Sequence, residues 1–267
     1  MKINVLFICA FMILLVSCKT EERKEVDPKS EELSVVDFYF FTTDSIKIFG
    51  DLHGTDKKAS TILLFHQGGS NARAEYETIV PVLVEKGFNV MTIDQRLGGQ
   101  IYGGYNRTIA NIPSNSFDNG YTYCDAYNNL EGALDFIIEQ GYRGKKVLWG
   151  SSYSAALAIQ LGSKRQSDIN GILAFSPVSG GPMEACRPDQ FFEDLKAPLL
   201  IMRPQSEMKN ESSQNQLALA EKSGHQTYIA PNGVHGSSML VKSRINGDAS
   251  ATWERVLSFL DDLEKKG

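Results

Sequence analysis

Between residues 60 and 265, short runs of β-forming residues alternate with segments whose apolar residues recur at helical spacing. This alternation limits the fold more than any other feature of the chain. Residues 60–65 (STILLF), 88–93 (FNVMTI), 146–149 (KVLW), 169–175, 198–202 (PLLIM) and 226–230 read as strands. Residues 72–86, 126–140, 153–162, 212–222 and 251–265 read as helices. Strands joined through helices pair in parallel, so a mostly parallel sheet with helices on both faces is predicted. Residues 35–41 and 45–50 flank the turn Thr42-Thr43-Asp44 and read as a hairpin that opens the sheet. Ligands of such sheets sit beyond the carboxyl ends of the strands, which makes the loops after strands the places to look for chemistry.

The loop after the 146–149 strand reads Gly150-Ser151-Ser152-Tyr153-Ser154 and runs straight into a helix. This is the strand–turn–helix setting of a G-x-S-x-G nucleophile elbow, in which small residues two before and two after a serine allow a tight turn that lifts its hydroxyl above the sheet. Here Ser154 stands where the second glycine usually does. A serine hydroxyl needs a base, and the base an orienting acid. His235, flanked by Gly233 and Gly236 just past the last strand, is the predicted base; His225 precedes that strand and is at its wrong end. The predicted acid is Glu207, on the loop after the PLLIM strand, with Glu184 as its rival. The tetrahedral oxyanion requires donors as well. These are expected from the N–H of Tyr153 and from the loop His66-Gln67-Gly68-Gly69-Ser70, with Gly68 favoured over Gln67 and His66 shaping the loop.

Together these residues resemble the α/β-hydrolase superfamily across essentially the whole domain. FHQGGSNARAEY followed by IDQRLGG is closest in character to the small esterase or dienelactone-hydrolase-like group. Dienelactone hydrolases use a cysteine nucleophile, so Ser152 departs from them and favours ester substrates. The resemblance implies an α/β-hydrolase fold with an eight-stranded, mostly parallel sheet, an acyl-serine intermediate, and no metal or organic cofactor. It implies a carboxylesterase-type serine hydrolase acting on a small or medium ester. A serine peptidase uses the same triad, and a binding lipoprotein that kept the fold without the chemistry is the alternative of a different class.

Two insertions border the expected pocket. Residues 94–123 form a long loop rich in Gly, Asn and Tyr, from which Arg96, together with Gln67 of the neighbouring loop, is expected to line the substrate site. Residues 176–196 are too few for a large lid domain, so an open site is expected.

The amino-terminal part has a different character. Met1-Lys2 precedes an apolar run over residues 3–16, shorter than the roughly twenty residues of a membrane-spanning helix, and the run ends in Leu15-Val16-Ser17-Cys18. This resembles a bacterial lipobox, implying a signal peptide over residues 1–17, lipid on Cys18, and a membrane-anchored protein of the cell envelope, periplasmic or surface-exposed. An ordinary secretory signal with a chance cysteine is the alternative. Residues 18–33, charged and without aromatics, read as a tether, and residues 34–267 as the hydrolase domain. The net charge of −5 and the lack of a basic stripe give no reason to expect a nucleic-acid partner; the partners expected are a small ester and the membrane, with oligomeric state open. Of the four cysteines, Cys9 would leave with the signal and Cys18 would carry lipid. Cys124 and Cys186 then remain, either bridged in an oxidising compartment or as two separate buried thiols. Neither has a neighbouring His or Cys at metal-ligand spacing.

Overall fold

A computed structural model describes residues 35–113 and 122–265; the signal, tether, Cys9 and Cys18 readings lie outside these residues. The strands are β1 (Val35–Phe41), β2 (Lys47–His53), β3 (Thr61–Phe65), β4 (Asn89–Asp94), β5 (Lys146–Ser151), β6 (Gly171–Phe175), β7 (Leu199–Pro204) and β8 (Gln226–Ala230). They form one sheet of 8 strands in the order β1-β2-β4-β3-β5-β6-β7-β8. The β1–β2 and β2–β4 pairs are antiparallel, and every pair from β4 to β8 is parallel. The predicted hairpin and parallel sheet are both present.

Alternation of side chains along the central strands sends them to two cores. Leu63, Phe65 and Leu148 face one layer, with Leu130, Leu134 and Ile137 of α4 (Tyr127–Glu139) and Ala155, Leu157, Ala158 and Ile159 of α5 (Tyr153–Lys164). Ile62, Leu64, Val147 and Trp149 face the other, with Tyr76 of α1 (Ala72–Tyr76), Leu83 of α2 (Ile79–Glu85) and Val256, Phe259 and Leu260 of α7 (Ser250–Lys265). Central strands buried on both faces account for the continuous apolar runs in their sequences. Between β7 and β8 lies α6 (Glu211–Lys222).

Two expectations need adjusting. The single helix expected over residues 72–86 is two, α1 and α2, because Pro81 has no N–H with which to continue a helix from Glu77. In the first turn of a new helix that N–H has no partner anyway, so α2 starts just before the proline. The insertion after β4 is also not structureless. It contains α3 (Arg107–Asn111), whose amino end is capped by Asn106 Oδ1 accepting the Ile109 N–H at 2.8 Å.

α3 is held by an ionic cluster. Arg107, on that helix, bonds Asp94 at 2.7 Å and Asp51 at 2.8 Å, and Arg73 of α1 bonds Asp51 at 2.7 Å and Asp37 at 2.5 Å. Asp94 Oδ1 also accepts the Ala72 N–H at the start of α1. Burial opposes ionisation of Asp51, but hydrogen bonds from Arg73, Asp37 and Arg107 outweigh it and hold its carboxyl at about 2.

Cys124 and Cys186 are joined as a disulfide, with Cα atoms 5.8 Å apart. The bridge ties the insertion after β4 to that after β6, across a sequence separation of 62. In the chain-entropy description, closing a loop of this length contributes about 4 kcal/mol. Between β6 and β7 the chain makes two short 3-10 turns, Gly181–Cys186 and Pro188–Phe191.

Candidate active site

Because β3 and β5 to β8 run parallel, their carboxyl ends share one edge of the sheet. His66–Ser70 follow β3, Ser152 follows β5, Ser176 follows β6, Glu207 follows β7 and His235 follows β8.

Ser152 occupies a strained turn, with φ 64° and ψ −121°. A non-glycine residue in that region persists where its surroundings fix it. Here the Ser152 N–H donates to the Phe175 carbonyl at 2.8 Å. Gly150 admits the turn, since a Cβ there would stand 2.4 Å from the Ala155 Cα. Ser154, the departure from the motif, is used rather than tolerated. Its hydroxyl accepts the Ser151 N–H at 2.9 Å and lies 2.6 Å from the Phe65 carbonyl, fastening the elbow to the end of β3.

Glu207 and His235 are in contact, Oε1 to Nδ1 at 2.6 Å. Burial works against ionisation of Glu207, but the hydrogen bond with His235 and the Arg203 charge outweigh it, so the carboxyl is held below the ordinary glutamate range. Its other oxygen is bonded by Arg203 at 2.5 Å. Arg203 itself is buried and anchored on the Pro177 carbonyl and Gln216. An arginine at the end of β7 therefore aims the acid, a role the sequence reading missed because its partners lie on other elements. Glu184, the rival acid, is exposed and faces Arg187 at 3.7 Å.

The histidine loop is fastened to the elbow. The Ser237 N–H donates to Ser151 Oγ at 2.9 Å, Trp149 Nε1 donates to Ser237 Oγ at 2.9 Å, and the Gly236 N–H donates to Ser176 Oγ at 3.1 Å. A Cβ on Gly236 would stand 2.4 Å from Ser151 Oγ, which excludes larger residues there. The hydrogen bond between Ser152 Oγ and His235 Nε2 is not formed. Such contacts commonly tighten when substrate arrives.

Arg96 does not line the site, contrary to the sequence-based expectation. It is 1% exposed, its guanidinium pairs with Asp44 and its Nε donates to Asn129 Oδ1 at 2.8 Å. A buried charge needs such partners, and here they brace the insertion against the opening hairpin. Gln67 is largely buried, with Nε2 turned to the Tyr102 hydroxyl at 3.2 Å. Gly68 and Tyr153 leave their N–H groups unused among the described residues. The Tyr153 ring packs on that of Tyr123 at 4.7 Å, and the Tyr123 hydroxyl sits 3.0 Å from where a Gly68 Cβ would be. Beside it, Tyr123, Cys124, Pro182 and Glu184 line a groove between the two bridged insertions.

No family model and no curated protein matches the sequence. Solved structures do. An esterase of Pyrococcus furiosus superposes with a TM-score of 0.66 at 17% identity, over 86% of this chain and 91% of that one. A Klebsiella pneumoniae protein assigned as a dienelactone hydrolase gives 0.57 at 12% identity, over 85% and 98%. An acylaminoacyl peptidase of Pyrococcus horikoshii gives 0.57 at 17% identity, over 79% of this chain and 39% of that one. The chain has the α/β-hydrolase fold. On that fold the strained Ser152 turn, the Glu207–His235 pair and the free Gly68 and Tyr153 amides all belong to one edge of the sheet.

Proposed function

We propose that this protein is a serine hydrolase of the carboxylesterase type. The observation that carries the reading is the Glu207–His235 hydrogen bond at 2.6 Å, set on loops fastened to the strained Ser152 elbow. Glu207 holds the imidazole with its proton on Nδ1, leaving Nε2 to take the Ser152 proton as Oγ attacks the ester carbonyl. The Gly68 and Tyr153 N–H groups receive the oxyanion. His235 then returns the proton to the departing alcohol, leaving an acyl-serine. Water attacks that ester in turn, losing a proton to His235, which hands it to Ser152 Oγ as the acid departs. The groove beside Tyr123 accepts one side of a small or medium ester. The esterase resemblance spans nearly the whole of both chains, whereas the match to the peptidase leaves most of that protein uncovered, which favours ester over peptide substrates.

Residues 19–267 treated with a fluorophosphonate probe are expected to be labelled at Ser152, and Ser152→Ala to abolish the label, read by mass spectrometry. A folded protein without label would leave a binding role as the better account. A panel of p-nitrophenyl esters against aminoacyl anilides then separates esterase from peptidase.

The same proposal includes lipid attachment at Cys18, in a bacterial envelope, on the strength of the Leu15-Val16-Ser17-Cys18 sequence. Expression of the full chain with an alkynyl fatty acid is expected to label it, with Cys18→Ser unlabelled and recovered in the soluble fraction. Equal labelling of the two would remove the anchor from the account.

A further inference from the structure

Glu75 has no part in the chemistry above, yet its carboxyl is fully buried directly behind the loop that follows β3. A carboxyl without solvent is costly unless its bonding needs it. Glu75 Oε2 accepts the Gln67 N–H at 2.9 Å. Beside it lie the hydroxyls of Ser70 and of Ser151, the residue before the proposed nucleophile. Ser151 Oγ in turn accepts from Ser237, so the carboxyl stands where the loops after β3, β5 and β8 converge.

The peptide that follows is pinned from its other end. His66 Nε2 accepts the Gln95 N–H at 2.9 Å, which places the ring proton on Nδ1, and Nδ1 donates to the Gln67 carbonyl at 2.8 Å. The Ser70 N–H reaches the same carbonyl at 3.3 Å. In a planar trans peptide the carbonyl and the next N–H point in opposite directions. Fixing the Gln67 carbonyl toward His66 therefore turns the Gly68 N–H away from His66, where no described group takes it. With the Gln67 N–H held by Glu75, Gly68 rather than Gln67 is the donor left to a ligand.

We propose that Glu75 is a positioning residue of the oxyanion hole: by holding the Gln67 N–H it fixes the His66–Gln67 peptide, and so the point from which the next peptide, with its carbonyl held by His66, turns the Gly68 N–H toward the reacting carbonyl. This rests on the serine-hydrolase reading. His66 works with it from the carbonyl side. Burial pushes the Glu75 carboxyl up, favouring its neutral form. Glutamine therefore imitates it closely, keeping an oxygen for the Gln67 N–H.

The test compares wild type, Glu75→Gln and Glu75→Leu, with kcat expressed per fluorophosphonate-titrated site. Leucine is expected to lower kcat per site by roughly 10- to 100-fold, below the loss on deleting a whole oxyanion donor, with KM little changed; glutamine is expected to restore kcat to near wild type. A role in folding alone lowers the titre and the melting temperature but leaves kcat per site unchanged. Amide exchange resolved by residue tests the pinning in the wild-type protein, without substrate or variant: Gln67 must exchange slowly and Gly68 fast. Wild-type kcat per site in the leucine variant, a glutamine variant as impaired as leucine, or a fast Gln67 amide would overturn the proposal. Failure of the wild type to label at all sinks the hydrolase reading instead, whatever the amides do.

Discussion

Alanine at His235 is expected to lower kcat for an activated ester by at least roughly 10,000-fold while leaving the fold intact. The side chain is exposed at its tip and carries no core packing, so its loss removes the base and little else. Ser152→Ala is expected to cost the same or more, and the double variant no more than the worse of the two singles. Residues that act as one unit are not additive, and what survives comes from binding and the oxyanion donors. Steady-state kinetics on the four proteins, with circular dichroism to confirm folding, decide the matter. Additive losses would mean that the two residues act in separate steps. Glu207→Gln is expected to be milder in kcat than His235→Ala but to reduce stability as well, because it removes the charge that faces buried Arg203.

The largest expected loss of stability is elsewhere, at Arg107→Met. Arg107 is the shared partner of Asp94, which is 1% exposed, and Asp51, which is 2% exposed. Removing it leaves buried Asp94 without a cation and Asp51 with Arg73 alone, and should cost about 3–5 kcal/mol, lowering the melting temperature by roughly 10 °C for a domain of this size. The acid limb should move too. The folded Asp51 carboxyl lies below its unfolded value, so the stability it contributes is complete above the ordinary aspartate range and is lost as pH falls toward about 2. Without Arg107 the folded value rises, and acid unfolding should begin at higher pH. Thermal melts of both proteins between roughly pH 7 and 2 measure the shift. Coincident profiles would show that Arg73 alone sustains the cluster.

The fold was readable because central strands buried on both faces leave unbroken apolar runs such as STILLF and PLLIM; Ser152 and Glu207 each follow a strand of that kind, whereas His235 follows β8, a partly exposed edge strand. Ser152, Glu207 and His235 could be picked out by their place after a strand. What escaped was long-range and polar. Arg96 looked like a surface residue offered to substrate, since nothing local indicates that Asp44, far away in sequence, takes its charge. Nothing local marks Glu75 within the helix expected over residues 72–86, because the Gln67 N–H it takes and the Ser151 hydroxyl beside it come together only when β3 and β5 are adjacent. Ser154 could be read as a tolerated small residue, but not as the donor that reaches Phe65. Pro81 was legible and went unused: a proline ten residues into a proposed helix already argues for two.

The register of the opening hairpin bears on how the molecule meets its surroundings. Val35 pairs with His53, and His53 with Val90, near the start of β4; Asp94, at the other end of β4, lies at the carboxyl edge that carries the candidate site. At the carboxyl terminus, the last turn of α7 is held by Ser60 and Lys145, which precede β3 and β5. Both ends of the described chain thus leave from the pole opposite the mouth. A tether of the kind proposed at Cys18 would join the described domain at Val35, at the pole away from the mouth. By the same geometry, a resin or a fusion partner attached at either end leaves the entrance clear.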